Sequence, residues 1–171
     1  SESFEALGPW ANWSVDAASN TFSPATNAWM RDNNGTGSSP TGPLNGAPSL
    51  DGSYYLFCET SGSNAAAHAE LHSSCVDLSN FTDPTFVLGY NMFGSQIGTL
   101  DVDVTTDGGT TWTTEWSLTG DQGQAWGEGV IPLTSYAGQM VQVRIAYTNG
   151  GGYWGDCAID FLRFMEAPAA G

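Results

Sequence analysis

A carboxylate stands in the middle of an apolar run near the end of the chain. The run covers residues 155–164, and Asp160 lies among side chains typical of a buried strand. A charge in such a strand is costly unless it is paired or bound to a cation. Residues 3–7 repeat the pattern, with Glu5 inside a short apolar segment. We therefore expect the two ends of the chain to meet in one sheet, where Glu5 and Asp160 share a cation.

Catalytic arrangements are not evident in the sequence. His68 and His72 are four residues apart, which on a strand places them on one face but too far apart to clamp one metal. We interpret them as surface or packing histidines. Asp101 and Asp103 alternate on one strand without the facing carboxyl pair that a glycosidase needs. No serine, histidine and aspartate arrangement carries a nucleophile motif, so the sequence predicts a protein that is not an enzyme.

Aromatic side chains are the stronger functional signal, because the chain has seven tryptophans in 171 residues. An exposed aromatic face can stack on the apolar face of a sugar ring. The candidate ligand-binding residues lie at predicted strand ends or in loops, and they are Trp10, Trp13, Trp112, Tyr153 and Trp154. Tyr153 and Trp154 follow a glycine loop and form the best pair. The alternative is that these two rings fold back and cover the edge of the domain.

Charge and length limit the possible partners. The chain has 18 acidic residues against three arginines and no lysine, for a formal charge of −15. Such a surface repels nucleic acid and anionic membranes. No apolar run approaches the roughly 20 residues of a membrane helix, so we expect no membrane insertion. No signal peptide is visible, which suggests a mature form or an excised domain.

The hydrophobic pattern predicts strands throughout, because glycine, serine, asparagine and proline interrupt the chain every few residues. The predicted strands are 3–7, 10–15, 28–31, 53–59, 67–73, 75–78, 85–93, 98–106, 111–118, 126–133, 139–148 and 155–164. Residues 32–50 form a long polar loop. With both chain ends in the core, this pattern indicates an all-β fold, an antiparallel two-sheet sandwich with jelly-roll topology. We expect one domain over residues 1–165 and a linker or tail over 166–171.

Short fragments in a fixed order carry a family resemblance. They are Phe4-Glu5, Trp29-Met30-Arg31, Thr41-Gly42-Pro43, residues 51–61, 69–71, 74–78, 90–94 and 97–100, Trp116, residues 120–123, Trp126, Val143-Arg144-Ile145 and Ala158-Ile159-Asp160. Together they resemble the MAM domain, named after meprin, a neuronal surface antigen and a receptor phosphatase, in its bacterial secreted version. The resemblance implies a non-catalytic, secreted β-sandwich for recognition outside the cell.

The resemblance also implies a metal ion near the terminal strands. Matched by motif, Glu5, Asp51 and Asp160 are the ligand candidates, with Glu59 as a fourth. Ligands that are all oxygen select a hard cation, so we expect structural calcium, with sodium as an alternative. The competing interpretation is that these acids accept hydrogen bonds from backbone amides and from Arg31.

Two cysteines depart from the family pattern. The chain has Cys58, Cys75 and Cys157 and no C-x-x-C pair, so a zinc or redox motif is not indicated. An oxidised pair with one free thiol fits a secreted protein. Cys58 and Cys157 stand where the family has ordinary strand residues, which suggests a disulfide between them. A bond between Cys75 and Cys157 is the alternative.

Two functions follow from these features. The first is a carbohydrate-binding module appended to a secreted bacterial enzyme, with an extracellular polysaccharide as partner. The negative charge favours neutral glycans, or anionic ones through bridging calcium. The second is a protein–protein adhesion or accessory domain, which self-associates or docks on a neighbouring protease domain of the parent protein.

Overall fold

β-Strands supply nearly all the regular structure of the computed structural model, which describes residues 1–45 and 49–169. The strands are β1 Trp13–Val15, β2 Met30–Asp32, β3 Tyr55–Cys58, β4 His68–Ser73, β5 Val76–Asp77, β6 Pro84–Met92, β7 Thr99–Thr105, β8 Thr113–Thr119, β9 Gly127–Pro132, β10 Met140–Thr148 and β11 Cys157–Glu166. Two short 3-10 helices cover Ala25–Asn27 and Thr134–Tyr136. In the described part of the chain, no helix is long and apolar enough to cross a bilayer.

The strands form two antiparallel sheets packed face to face. Sheet A has the order β1-β4-β10-β7-β8, with β5 also paired to β10, and sheet B has the order β2-β3-β11-β6-β9. Every strand pair is antiparallel. The all-β, two-sheet sandwich with jelly-roll connections predicted from the sequence is confirmed.

Alternation of side chains along the strands builds the core between the sheets. In β7, Leu100, Val102 and Val104 are buried and point inward. Asp101 and Asp103 therefore point away from the core, onto the outer face of sheet A. The outward side chains of β4 and β10 are mostly polar as well, and we call this side of sheet A the polar face.

The outer face of sheet B is covered, in contrast to the polar face. Tyr55, Phe57 and Ala158 form a second buried cluster there. The long segment between β2 and β3 crosses this side, because the carbonyl oxygen of Asn34 accepts a hydrogen bond from the Tyr55 hydroxyl. Sheet A, in contrast, presents polar side chains on its outer side.

A glycine in β6 allows the end of this segment to lie on sheet B. A Cβ atom added to Gly89 would lie 2.1 Å from the Leu50 Cδ2 atom and 2.8 Å from the carbonyl oxygen of Asp160. Real Cβ atoms do not approach other atoms so closely, so only glycine fits between these groups. The Leu50 side chain thus packs on β6, and the Leu50 backbone hydrogen-bonds to Asp160 of β11.

The two chain ends meet as expected, but through a single isolated β-bridge rather than a paired strand. Glu2 and Leu162 exchange two backbone hydrogen bonds of 2.8 Å each. The predicted strand 3–7 is wrong, because Phe4 has a φ of 57° and turns the chain away from the sheet.

Strand β11 continues beyond the predicted domain end at residue 165. It extends to Glu166, and the Ala167 backbone N–H donates to the Asp83 carbonyl oxygen at 2.8 Å. Of the predicted tail, residues 170 and 171 lie outside the described part of the chain.

Candidate functional site

Asp160 is fully buried in β11 and has no ionic partner among the salt bridges of the described residues. Its Oδ2 atom accepts a hydrogen bond from the Asp51 backbone N–H at 2.8 Å, and its Oδ1 atom accepts one from Phe161 at 2.7 Å. Burial raises the pKa of Asp160 to about 7, although these amide hydrogen bonds act in the opposite direction. A bound cation would supply the charge compensation that this carboxyl group lacks.

Glu5 and Asp51 lie at the same loop as Asp160, although the carboxylate oxygens of the three do not all lie within 4.8 Å of one another. The Glu5 Oε1 atom accepts hydrogen bonds from the backbone N–H groups of Ser53 and Tyr54, both at 2.8 Å. The Asp51 Oδ2 atom accepts one from the Ser3 hydroxyl. Charge and donor chemistry fit a hard cation, since every side-chain donor is a carboxylate oxygen.

Arg31 holds the backbone of this region rather than its carboxylates. Its side chain donates to the carbonyl oxygens of Phe4, at 2.6 Å from Nε, and of Glu5. The guanidinium carbon also lies 3.3 Å from the ring centroid of Tyr54. Arg31 therefore fixes the N-terminal segment beside β3 and leaves the carboxylate charge of Glu5 uncompensated.

Glu59 lies at the opposite end of β3 from this loop. Its Oε1 atom accepts the Ser61 backbone N–H at 2.9 Å, and its charge raises the pKa of the buried Asp156. The structure therefore does not bring Glu59 to the other three predicted ligands. The matching of family motifs could not detect this, because Asp51 and Glu59 belong to one continuous fragment of the sequence, whereas β3 separates them in the fold.

Cys58 and Cys157 occupy directly opposed positions in the register of β3 and β11. Both are fully buried thiols, and burial raises the pKa of each well above its ordinary value. Cys75 is exposed, and it precedes β5 at the edge of sheet A. The residues that the sequence suggested as a pair are neighbours, and their bond stays a prediction.

The five predicted aromatic ligands do not form one surface. Trp13 is only 5% exposed and packs against Phe86 in the core, with ring centroids 5.9 Å apart. Its position in β1 turns the indole ring inward between the sheets, so its role in ligand binding stays a prediction. The other four aromatic residues are divided between the two ends of the sandwich.

Tyr153 and Trp154 lie on the loop between β10 and β11, and Tyr153 is 52% exposed. Their ring centroids are 5.0 Å apart, and the planes make an angle of 61°. The pair is thus arranged edge to face and offers no single flat platform for a sugar ring. Trp154 is half-buried, and its indole Nε1 has no hydrogen-bond partner in the described residues.

A network of charged side chains occupies the centre of the polar face. Glu70 lies between His68 and His72 on β4, and each imidazole Nε2 atom contacts one of its oxygens, at 2.8 and 2.9 Å. The pKa of Glu70 is lowered, because these contacts and the charge of Arg144 together outweigh the effect of burial. The two histidines share a face as expected. The sequence interpretation missed Glu70, although the His-x-Glu-x-His spacing on a strand was visible.

Arg144 extends this network across the sheet. It stands opposite His72 on one side and opposite Asp103 on the other. Its Nε atom donates to Asp103 Oδ2 at 2.7 Å, and its guanidinium carbon lies 4.5 Å from the Trp112 ring centroid. Trp112 therefore forms a wall of the polar face.

A groove of about 390 Å³ runs from this network toward the N-terminal segment. Among the side chains that line it are Trp10, Asn12, Ser14, His72, Ser74 and Gln142. The Trp10 indole is fixed at one end, because its Nε1 donates to the Ala6 carbonyl oxygen and its ring packs edge-on against Phe4. An aromatic ring with amides and hydroxyls is a suitable lining for a carbohydrate.

Comparison with known proteins gives a family and a set of structural neighbours. The family model for the MAM domain, meprin/A5/mu, matches residues 12–169. The MAM domain-containing glycosylphosphatidylinositol anchor protein 1 of Rattus norvegicus is 32% identical over 148 residues, which cover 81% of this chain and 15% of that protein. The chain thus spans about 15% of the length of the curated relatives that it matches first.

Two solved structures share the fold at low sequence identity. The K1 cleaved adhesin domain of Lys-gingipain from Porphyromonas gingivalis has a TM-score of 0.65 and 16% identity, with 98% of this chain and 97% of that chain covered. TmCBM61 in complex with β-1,4-galactotriose has a TM-score of 0.60 and 14% identity, with 94% and 92% covered.

Proposed function

Since the chain belongs to the MAM domain family, we propose that it is a non-catalytic extracellular module that recognises a neutral polysaccharide. The observation that carries this proposal is the groove at the edge of the polar face, with Trp10 at one end and His72 at the other. The segment between β2 and β3 also lines a cavity, of about 270 Å³, but none of the described residues that line it is aromatic.

The lining of the groove matches the chemistry of a sugar chain. The side-chain amides of Asn12 and Gln142 each offer a donor and an acceptor, which suit adjacent sugar hydroxyls. The hydroxyls of Ser14 and Ser74 add contacts of the same kind, and the Trp10 ring supplies an apolar surface. TmCBM61, with the same fold, was solved in complex with β-1,4-galactotriose, which supports a carbohydrate as the ligand class.

Net charge selects neutral glycans within that class. A chain with a formal charge of −15 repels uronic acid and sulfated polymers. Asp103 and Glu70 on the adjacent polar face are nearly buried carboxylates, at 4% and 9% exposure, and strengthen the negative potential there. The proposal includes that the chain is secreted and that it is attached to an enzyme that acts on the same polysaccharide.

We also propose a structural calcium ion at the loop of Glu5, Asp51 and Asp160. These residues would hold it, and Asp160 would supply the buried charge. The ion would join the N-terminal segment, the segment before β3, and β11. This role concerns stability and does not place calcium in the groove.

Affinity electrophoresis tests the carbohydrate proposal. Gels would contain neutral galactan, mannan, xylan or β-glucan, or an anionic polymer such as pectate. We expect at least one neutral polymer to retard the wild-type chain, and Trp10→Ala and Gln142→Ala to lose that retardation. Tyr153→Ala is the matched control, since it removes an exposed aromatic ring outside the groove.

Two results would contradict the proposal. Migration unchanged in every gel would remove carbohydrate binding, and retardation lost only in Tyr153→Ala would move the site to the opposite end of the sandwich. Sedimentation equilibrium over a concentration series then tests the alternative, a protein-binding module. That alternative takes its support from the adhesin domain of the same fold and requires a self-associating chain or a bound neighbouring domain.

A further inference from the structure

Three metal-ligating side chains converge on the polar face. Asp16, Glu70 and His72 each place one ligand atom within 4.8 Å of the others, and in the described residues no other group of three or more acids, histidines and cysteines does so. The backbone fixes this arrangement. Ser14 pairs with His72 in the register of β1 and β4, and the Asp16 N–H donates to the Glu70 carbonyl oxygen at 2.9 Å.

The charges around this group leave room for a divalent cation. The group and its neighbours contain three carboxylates, those of Asp16, Glu70 and Asp103, and one guanidinium, that of Arg144. Arg144 is engaged with Asp103 at 2.7 Å, whereas its nearest nitrogen is 3.8 Å from Glu70 Oε1. With neutral imidazoles, two negative charges remain uncompensated. A nearly buried carboxylate such as Glu70 gains most from a cation placed beside it.

His68 orients Glu70 from the side away from His72. Its Nδ1 atom lies 2.8 Å from the Thr148 hydroxyl, and its Nε2 atom lies 2.8 Å from Glu70 Oε2. When the Thr148 hydroxyl donates to Nδ1, the Nε2 proton points at Glu70. The Glu70 Oε1 atom is then turned toward His72, which is how an outer histidine typically holds a carboxylate ligand of a metal.

We propose that Asp16, Glu70 and His72 bind a first-row divalent cation of the zinc type. One imidazole nitrogen with two carboxylate oxygens is a ligand set for zinc, whereas calcium takes oxygen donors alone. Ligands of one zinc ion lie at most about 4 Å apart, so a spread of 4.8 Å requires only small side-chain rotations. Three protein ligands leave a coordination position for water or a ligand.

This site is independent of the carbohydrate proposal, although His72 also lines the groove. Metal binding is measured without any glycan, and Trp10 and Gln142 take no part in it. Loss of polysaccharide binding would therefore leave the metal proposal standing, and the reverse also holds.

Isothermal titration of zinc into the chelator-treated chain tests the site. The protein is prepared without a polyhistidine tag, which would itself bind zinc. The substitution Cys75→Ser removes the exposed thiol. Calcium at millimolar concentration is added so that sites for hard cations are already occupied. We expect one zinc per chain. His72→Gln and Asp16→Asn should each weaken binding by more than about tenfold, and His68→Ala by about tenfold through Glu70. Asp101→Asn, on the same face but outside the cluster, should bind as the parent chain does.

Cobalt provides a second readout. The His72 and Trp112 rings are 5.3 Å apart, so bound cobalt should quench the Trp112 emission and show a visible absorption band. Trp112→Phe should lose the quenching and keep the band. The proposal is overturned when the parent chain binds no zinc or when His72→Gln and Asp16→Asn, with unchanged melting temperatures, bind it equally well.

Discussion

At the scale of single residues, one aspartate just before the last strand and one within it should make the stability of the domain depend on pH. Asp156 and Asp160 are both fully buried, and burial raises their pKa values to about 6 and about 7. A folded-state pKa above the unfolded value near 3.8 means that the folded chain holds the proton more tightly. The stabilisation is complete below about pH 4 and is lost as the pH rises through 6 to 7.

Asp156→Asn isolates this effect. The Oδ1 atom accepts from the backbone N–H and hydroxyl of Thr60, at 2.8 and 2.9 Å, whereas Oδ2 has no hydrogen-bond partner in the described residues. The Thr36 hydroxyl lies nearby and lowers the pKa, but it is turned to the Thr41 carbonyl oxygen at 3.3 Å, without hydrogen-bond geometry to Oδ2. An amide NH2 group therefore fits at Oδ2.

We expect Asp156→Asn to stabilise the chain at pH 8 and to change little at pH 4.5. One pKa unit corresponds to about 1.4 kcal/mol, so ionisation of Asp156 lowers the free energy of unfolding by about 3 kcal/mol. A neutral amide at this position should restore about 1–3 kcal/mol of that loss. Urea unfolding at the two pH values measures the difference. An equal effect at both values would show that the charge of Asp156 does not matter.

Calcium should stabilise the chain through Asp160 at high pH, whereas the buried protons stabilise it at low pH. The ion competes with a proton whose pKa is about 7, so it should bind at pH 8 and not at pH 5. At free calcium of about 100 times the dissociation constant, we expect the melting temperature to rise by about 5–10 °C. Chelator should reverse the shift, and Asp160→Ala should abolish it. A shift retained in Asp160→Ala, or equal at pH 5, would place the ion elsewhere.

At the scale of elements, alternation of residues was sufficient to predict the strands but not the surfaces they present. Strand β7 alternates in sequence as it does in the fold. In β3 all four residues are buried, so the sequence does not show that a long segment covers the outer side of sheet B. The turn at Phe4 and the inward ring of Trp13 were also not predicted. A backbone turn at a single residue, or a strand shifted by one residue, changes which face of the sheet a side chain occupies, and the hydrophobic pattern does not show either.

Gly89 tests the docking of the segment before β3. Gly89→Ala places a Cβ atom 2.1 Å from Leu50 Cδ2, which should displace Leu50 and loosen the amide contacts of Asp160. We expect a loss of about 1–3 kcal/mol in unfolding free energy and a weaker calcium effect. Gly151→Ala is the control, since its nearest neighbours are side-chain atoms of Gln96 at 3.7 Å. Equal stability of both variants would contradict the tight contact.

The cysteines test the pairing of β3 with β11. Cys58 and Cys157 are opposed in register and shielded from solvent, so we expect them to form a disulfide under oxidising conditions. Denaturing alkylation without reduction should then label only Cys75, and prior reduction should expose all three thiols. Intact mass distinguishes the two states. Three labels without reduction would show that the pair stays reduced.

At the scale of the whole molecule, the two sheets have different roles. Sheet B contains the last strand, β11, with the buried Asp160, and it carries the covering segment, so it stabilises the fold. Sheet A presents the polar face and the groove to solvent. A formal charge of −15 is spread over both, which favours solubility and restricts the ligands to neutral or cationic groups. Recognition through the groove on sheet A is the central claim.

Amide chemical-shift mapping of the isotope-labelled chain tests that claim most directly. The ligand is the neutral oligosaccharide that matches the polymer which retards the chain. We expect concentration-dependent shifts confined to the groove, at Trp10, Asn12, Ser14, His72 and Gln142. Shifts centred on Tyr153 and Trp154, or none for any neutral oligosaccharide, would contradict the account.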